Sequence, residues 1–282
     1  MIVVSMLEAR IQVALGRPGR HPRVQALYSV PYDRFLGDAW EQDLDALWHR
    51  YSLPRKGICL IPPWEEAVTR VLTLPNMMPK QLGQAVRHEL QPSGDGEVVT
   101  DYLPLSREEK LLTVLGGACR LPVLERYIQG FEGLGLELDR VSVPLEGPLK
   151  LLSATEEMRD KTCLWLLFDG GVVVSLLAER GNCRYAGRGR VFSRPGTEDF
   201  GREVAGVVSG AIQFQSAKQQ TGPITHVYFG GCPEEGFAPC VAGIRALGPA
   251  VEPLPLCRRF RAFPEGEALG DWADCVGSFL RI

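Results

Sequence analysis

Residues 163–230 read CLWLLFDGGVVVSLLAERGNCRYAGRGRVFSRPGTEDFGREVAGVVSGAIQFQSAKQQTGPITHVYFG, and the order of elements in this stretch decides the fold. Three apolar runs, CLWLLF, VVVSLLAERG and CRYAGRGRVF, have the length and composition of strands. The first two are joined by Asp169-Gly170-Gly171, a tight hairpin signal. A helix is predicted from near Thr197, because Phe200, Val204, Val207, Val208, Ala211 and Ile212 recur at helical spacing, and Gly222-Pro223 stops it. HVYFGG then reads as a fourth strand.

The amino-terminal residues repeat this order. IVVSM, RIQVALG and RVQALYSV form a predicted meander, with RPGRHP as the second turn. AWEQDLDALWHRYSL follows as a helix with Leu44, Leu47 and Trp48 on one stripe and Asp38 placed to cap it. GICLIPP reads as a buried strand ending at Pro62, and TRVLTLP as another ending at Pro75. Both halves therefore run strand, strand, strand, helix, strand, without evident residue identity between them. A duplicated βββαβ unit of this kind is the topology of the actin-like (ribonuclease H-like) nucleotide-binding fold.

Between the halves, PNMMPKQLGQAVRHEL places Leu82, Val86 and Leu90 on one helical face and ends at Pro92. VVTDYLPL and KLLTVLGGA read as strands. LPVLERYIQGFEGLGLEL puts Val123, Tyr127, Ile128 and Phe131 on one face of a further helix, which Gly133 to Gly135 ends. The expected organisation is an α/β chain with a first actin-like half at 1–75, an inserted small α+β subdomain and connection at 76–145, and a second half at 146–282.

Composition narrows the function. The 282 residues are 45% hydrophobic and 23% charged, the profile of a globular protein rather than a disordered one. Glycine (31) and proline (21) are frequent enough to predict short elements and many turns, against an all-helical bundle. A net charge of -3 gives no general attraction to nucleic acid or acidic membrane. No apolar run approaches the ~18 residues of a membrane span, and MIVVSMLEAR lacks a signal-peptide pattern, so a cytoplasmic location is expected. The eight cysteines include no C-x-x-C pair and the four histidines lie at no zinc-ligand spacing, so reduced thiols without a structural metal are expected.

Four stretches, in order, resemble the PilM proteins of type IV pilus assembly, actin-like relatives of the division protein FtsA. LTLPNMMPKQLGQAVRHEL with VVTDYLPL resembles the family's proline-flanked helix and Asp-Tyr strand. LLTVLGGACRLPVLERYIQGFEGLGLELDRVSVP resembles its strand, helix and Gly-Leu connection. HVYFGGCPEEGFAPCVAGIRALGPAVEPLP resembles the double-glycine adenosine loop, next helix and Gly-x-x-Val-Glu strand, and CVGSFLRI the closing Gly-x-x-x-Arg helix. The cytoplasmic part of the type II secretion protein GspL shares the fold and a similar proline-flanked helix, but continues into a membrane span that these residues lack.

The resemblance implies three nucleotide-contact regions. Phosphates would sit on the first hairpin of each half, where Gly-rich backbone donates N–H groups and an Asp helps hold hydrated Mg²⁺. In the first half the turn is Ser5 to Arg10, with neither Asp nor Gly and only the bulkier Glu8. In the second it is Asp169, Gly170 and Gly171, where strand resumes so soon that a hairpin turn is the simpler reading. Gly230 and Gly231 follow a strand and precede a helix, where small residues let a purine approach the backbone. They also fit ordinary turn chemistry. VFSRPGTEDFGREV passes directly to the helix where the family carries a long lid insertion, so the resemblance implies a second half with a reduced lid. ATP with Mg²⁺ is therefore disfavoured, no cofactor is expected, and a scaffold without hydrolysis is preferred over a nucleotide-binding ATPase. No G-x-x-x-x-G-K-[ST], G-x-S-x-G, H-E-x-x-H or helix-opening G-x-G-x-x-G motif supplies other chemistry.

The resemblance further implies a partner: the cytoplasmic tail of a bitopic PilN-like membrane protein, coupled onward to the assembly motor, with self-association left open. In the family that tail lies between the first-half core and the inserted subdomain. The matching walls here would be the helix with Leu82, Val86 and Leu90 and the strand with Val99 and Tyr102, although each such apolar residue taken singly reads first as core. Arg184, Arg188 and Arg190, then Arg258, Arg259 and Arg261, form two basic clusters that fit an acidic partner or simply a solvated edge.

Overall fold

The computed structural model describes residues 1–32, 40–90, 96–218 and 222–281. Two compact units emerge: Met1–Pro148 joined by Ala262–Pro264 and Asp274–Arg281, and Leu149–Arg261 joined by Glu265–Ala273.

In the first unit, β1 (Ile2–Met6), β2 (Arg10–Arg17) and β3 (Arg23–Pro31) form the meander, followed by α1 (Trp40–Tyr51) and β4 (Ile58–Ile61). The predicted cap Asp38 and the helix-ending Pro92 lie outside the described residues. A fifth strand, β8 (Leu138–Val141), completes the order β3-β2-β1-β4-β8. Strand β1 is antiparallel to β2 and parallel to β4, which is parallel to β8. All five residues of β1 are buried because both sheet faces are covered. Ile2, Val4 and Met6 meet Trp40, Leu44 and Leu47 of α1 and Tyr127 and Phe131 of α3 (Leu121–Gly133). Each such side chain, once buried, contributes ~1.5–3 kcal/mol.

The opposite face of β1 and β2 receives the carboxy terminus. α7 (Ala273–Gly277) brings the Cys275 thiol against the Val3 and Gln12 carbonyls. The segment read as a closing helix through Arg281 stops at Gly277. Leu280 then pairs with Gly19 in an isolated bridge, and the Arg281 N–H donates to the Gly19 carbonyl.

A second, three-stranded sheet has the order β5-β7-β6, from β5 (Ala67–Pro75), β6 (Val98–Arg107) and β7 (Leu111–Arg120), all antiparallel. α2 (Pro79–Leu90) packs on one face, where Leu82, Val86 and Leu90 meet Leu112, Val114 and Ala118. Two expectations change here. Strand 67–75 belongs to this small sheet, so a boundary at 75/76 would cut it. α3, expected within the insertion, buries its apolar face in the first-half core instead. Periodicity reports that a face is buried, not against which element.

The second unit repeats the first. β9 (Thr162–Asp169), β10 (Val172–Glu179), β11 (Asn182–Arg190), α5 (Glu198–Lys218), β12 (His226–Gly230), α6 (Glu234–Arg245) and β13 (Ala250–Pro253) give the sheet order β11-β10-β9-β12-β13. Phe200, Val204, Val208 and Ala211 of α5 fill its core with Leu164, Leu166 and Phe168, as the helical spacing predicts. α4 (Glu146–Ala154) precedes this repeat.

Candidate functional site

The β1–β2 turn is tight. The Leu7 N–H donates to the Arg10 carbonyl at 3.0 Å, and Glu8 is buried within the turn. The β9–β10 turn is tighter still, because Asp169 pairs directly with Val172 and only Gly170 and Gly171 form the loop. Gly170 adopts φ +54°, the left-handed conformation of a two-residue hairpin. The Gly171 carbonyl accepts from the Val191 N–H at 2.8 Å, and Asp169 is buried. The geometry is that of a hairpin closed on itself, with no extended run of N–H groups to cradle a phosphate.

Gly230 and Gly231 are explained by a neighbour inside their own unit. A Cβ on Gly230 would stand 2.5 Å from the Gly270 carbonyl oxygen, so the 3-10 turn Leu269–Trp272 lies directly on this backbone. The Gly231 N–H donates to Asp271 Oδ1 at 2.7 Å. The approach that a purine would need is thus filled by the protein's own chain.

The segment between β11 and α5 is a capped turn. Thr197 Oγ1 accepts the Phe200 N–H at 3.2 Å, satisfying an otherwise unpaired donor of the first helical turn. The Phe192 N–H donates to Glu203 Oε2 at 2.7 Å, and the Ser193 hydroxyl to Glu203 Oε1, which holds the Glu203 carboxyl below its ordinary range. Glu203→Ala should therefore speed amide exchange at Phe192 by about tenfold, read by hydrogen–deuterium exchange, while leaving α5 protected. Unchanged exchange would show that the turn does not depend on this carboxylate.

Leu82, Val86 and Leu90 are 3%, 1% and 2% exposed, which removes them as groove walls. Val99 is exposed on the edge strand β6, and the Tyr102 hydroxyl reaches back to the Pro79 carbonyl at 3.4 Å beneath α2. The opening is on the opposite side of the small sheet. Alternation along the strands puts Asp101 and Leu103 of β6 and Leu115 and Gly117 of β7 on the face away from α2. With Tyr102 at the rim and residues 140–143 and Glu146 facing them, they line a groove of about 300 Å³.

Adjacent glycines in β7 make both approaches close. A Cβ on Gly116 would meet Leu90 Cδ1 at 2.8 Å, and one on Gly117 would meet Val143 Cγ1 at 2.6 Å. This pair was the one legible signal of a close contact on each face. The far wall is polar and held in place: Arg140 Nε donates to Cys59 Sγ at 3.2 Å, Arg140 Nη2 lies 3.6 Å from Glu146 Oε1, and the Ser142 hydroxyl donates to Glu146.

All eight cysteines are free thiols. Burial pushes Cys119 and Cys163 up to about 11 and Cys183 up to about 12, which leaves them protonated and poorly nucleophilic. Among the described residues no group of three His, Cys, Asp or Glu side chains is arranged to hold a metal ion, and no helix is long and apolar enough to cross a membrane.

No protein-family model matches the sequence, and no curated protein does. Solved structures do match over nearly the full chain. A chain of the "PilM-PilN type IV pilus biogenesis complex" is similar at 18% identity, with 99% of this chain and 96% of that chain covered and a TM-score of 0.78. A Bacteroides thetaiotaomicron protein with actin-like ATPase fold aligns at 8% identity, 96% and 93% coverage and TM-score 0.59. The cytoplasmic domain of EpsL, an inner membrane component of the type II secretion system of Vibrio cholerae, aligns at 13% identity, 92% and 91% coverage and TM-score 0.50. The protein has the actin-like ATPase fold, built from duplicated halves with an inserted α+β subdomain. Within that class, the likeness to the chain of the PilM-PilN type IV pilus biogenesis complex extends over almost every residue of both chains.

Proposed function

We propose that this protein is an actin-like scaffold of a type IV pilus or type II secretion-like machine. It works at the inner face of the cell membrane, capturing the cytoplasmic tail of a bitopic, PilN-like protein without hydrolysing nucleotide. The observation that supports the reading best is the end-to-end likeness to a chain of the PilM-PilN type IV pilus biogenesis complex. The groove between the small sheet and residues 140–146 agrees with it, since an apolar floor (Leu103, Leu115, Val143) beside a fixed polar wall suits an extended peptide.

The test is calorimetric titration with a synthetic peptide of the cytoplasmic tail of a bitopic protein encoded beside this chain. Leu103→Glu should weaken binding by at least about tenfold, because a charge on the groove floor must be desolvated when the peptide seats. A tail that does not bind the unaltered protein would overturn the proposal.

The silent nucleotide site is tested separately with Mg-ATP, for which no saturable binding is expected at millimolar concentrations. Tight binding that Asp169→Ala abolishes would favour the ATPase reading instead.

A further inference from the structure

The groove continues past Arg140. Strand β8 is last in its sheet, so among the described residues its outer edge faces no other strand. Beside that edge, Ile128 and Glu132 of α3 and residues 135–141 line a cavity of about 470 Å³. Arg140 and Val141 belong to both this cavity and the neighbouring groove, so the two form one track along β8. Ile128 and Val141 are 37% and 36% exposed, two large apolar side chains left in water on this edge.

The lining of this second section carries three acids and one base, and Arg55 stands beside it, donating to the Leu134 carbonyl at 2.6 Å. Glu132, Glu137 and Asp139 line it, against Arg140, whose guanidinium is turned toward Cys59 and Glu146. Lys56 pairs with Glu137 at 2.8 Å, but both are well exposed and their interaction is weakened by solvent. Lys and Arg concentrate on the cytoplasmic flanks of membrane spans.

We propose that the outer edge of β8 takes the basic continuation of the captured tail as an added strand, with Glu132 and Asp139 reading its Lys and Arg residues. This rests on the tail-capture reading above and names what the tail must carry. Backbone N–H and C=O groups of β8 would pair with the added strand. Alternate side chains of that strand would face Ile128 and Val141, while its basic residues meet the acidic rim.

The experiment compares two fluorescein-labelled synthetic peptides on the full chain: the native tail and a version with every Lys and Arg replaced by Gln. Glu132→Lys/Asp139→Lys should weaken the native peptide by about tenfold at low salt, flatten its salt dependence, and change the Gln peptide less than about twofold. Bound native tail should also slow amide exchange across residues 138–141. If the native tail binds and Leu103→Glu weakens it, yet the charge reversal and the β8 exchange change nothing, the β8 proposal falls and tail capture stands. If the native tail does not bind at all, both fall. Unfolding curves of the double variant should overlay those of the unaltered protein, since both positions are exposed; a lowered midpoint together with uniform loss of both peptides also counts against charge reading.

Discussion

Gly277→Ala is expected to lower global stability by about 3 kcal/mol, a large single-methyl effect, because no side chain can move to make room. A Cβ at this position would stand 2.1 Å from the Gly147 carbonyl oxygen and 2.4 Å from its carbon, both backbone atoms at the first turn of α4. Relief therefore requires α7 and α4 to separate. α7 and the residues just after it carry Cys275, Val276 and Phe279 into full burial behind β1 and β2, so a shift there exposes the second face of a strand that is otherwise covered on both. Denaturant unfolding should show the midpoint lowered at unchanged slope, and amide exchange should rise first at Leu280, whose N–H donates to the Gly277 carbonyl, and at Arg281, whose N–H donates to the Gly19 carbonyl. A loss under about 1 kcal/mol would mean that this packing is looser than the distances state.

Asp274→Asn is expected to stabilise the protein at pH 7.5 relative to pH 4.5. Burial pushes the Asp274 carboxyl up to about 6, against the Leu145 N–H, the Trp64 indole and Arg10, which favour the charge. Its Oδ1 is buried without a hydrogen-bond partner. Because the folded value lies above the unfolded value of 3.8, the native state holds this proton more tightly, and stability from this group falls as pH rises from about 4 to about 6. Two units correspond to about 3 kcal/mol, so the difference between Asn variant and parent should grow by about 2–3 kcal/mol across that window and stay level above it. Equal differences at both pH values would remove the buried charge as a source of instability.

Both predictions concern the carboxy-terminal segment, for which the resemblance to the PilM proteins implied a closing helix. The pattern in CVGSFLRI is apolar enough for any buried element, and only the close approach of Gly277 to Gly147 decides where the helix ends. The long helix α5 was different. Phe200, Val204, Val208 and Ala211 recur at a spacing that only a helix satisfies, and Thr197 caps its start. The meanders were equally legible, since Asp169-Gly170-Gly171 between two apolar runs leaves little but a hairpin.

The candidate site was less legible. Leu82, Val86 and Leu90 announce a buried helical face, but a sequence does not say whether the buried face meets a sheet or a ligand. Here it meets Leu112, Val114 and Ala118, and the opening lies on the other side of the same strands. Gly230-Gly231 suggested room for a purine, and the room is taken by Gly270 and Asp271, about 40 residues further along the chain and invisible to local reading.

Local periodicity and turn chemistry, properties of neighbouring residues, thus determined that the chain folds as two βββαβ halves with an insertion. Which strand pairs β5, what fills the glycine loop and which face of the small sheet stays open depend on contacts between residues far apart. Those were decided only when the packed chain allotted each buried face its partner.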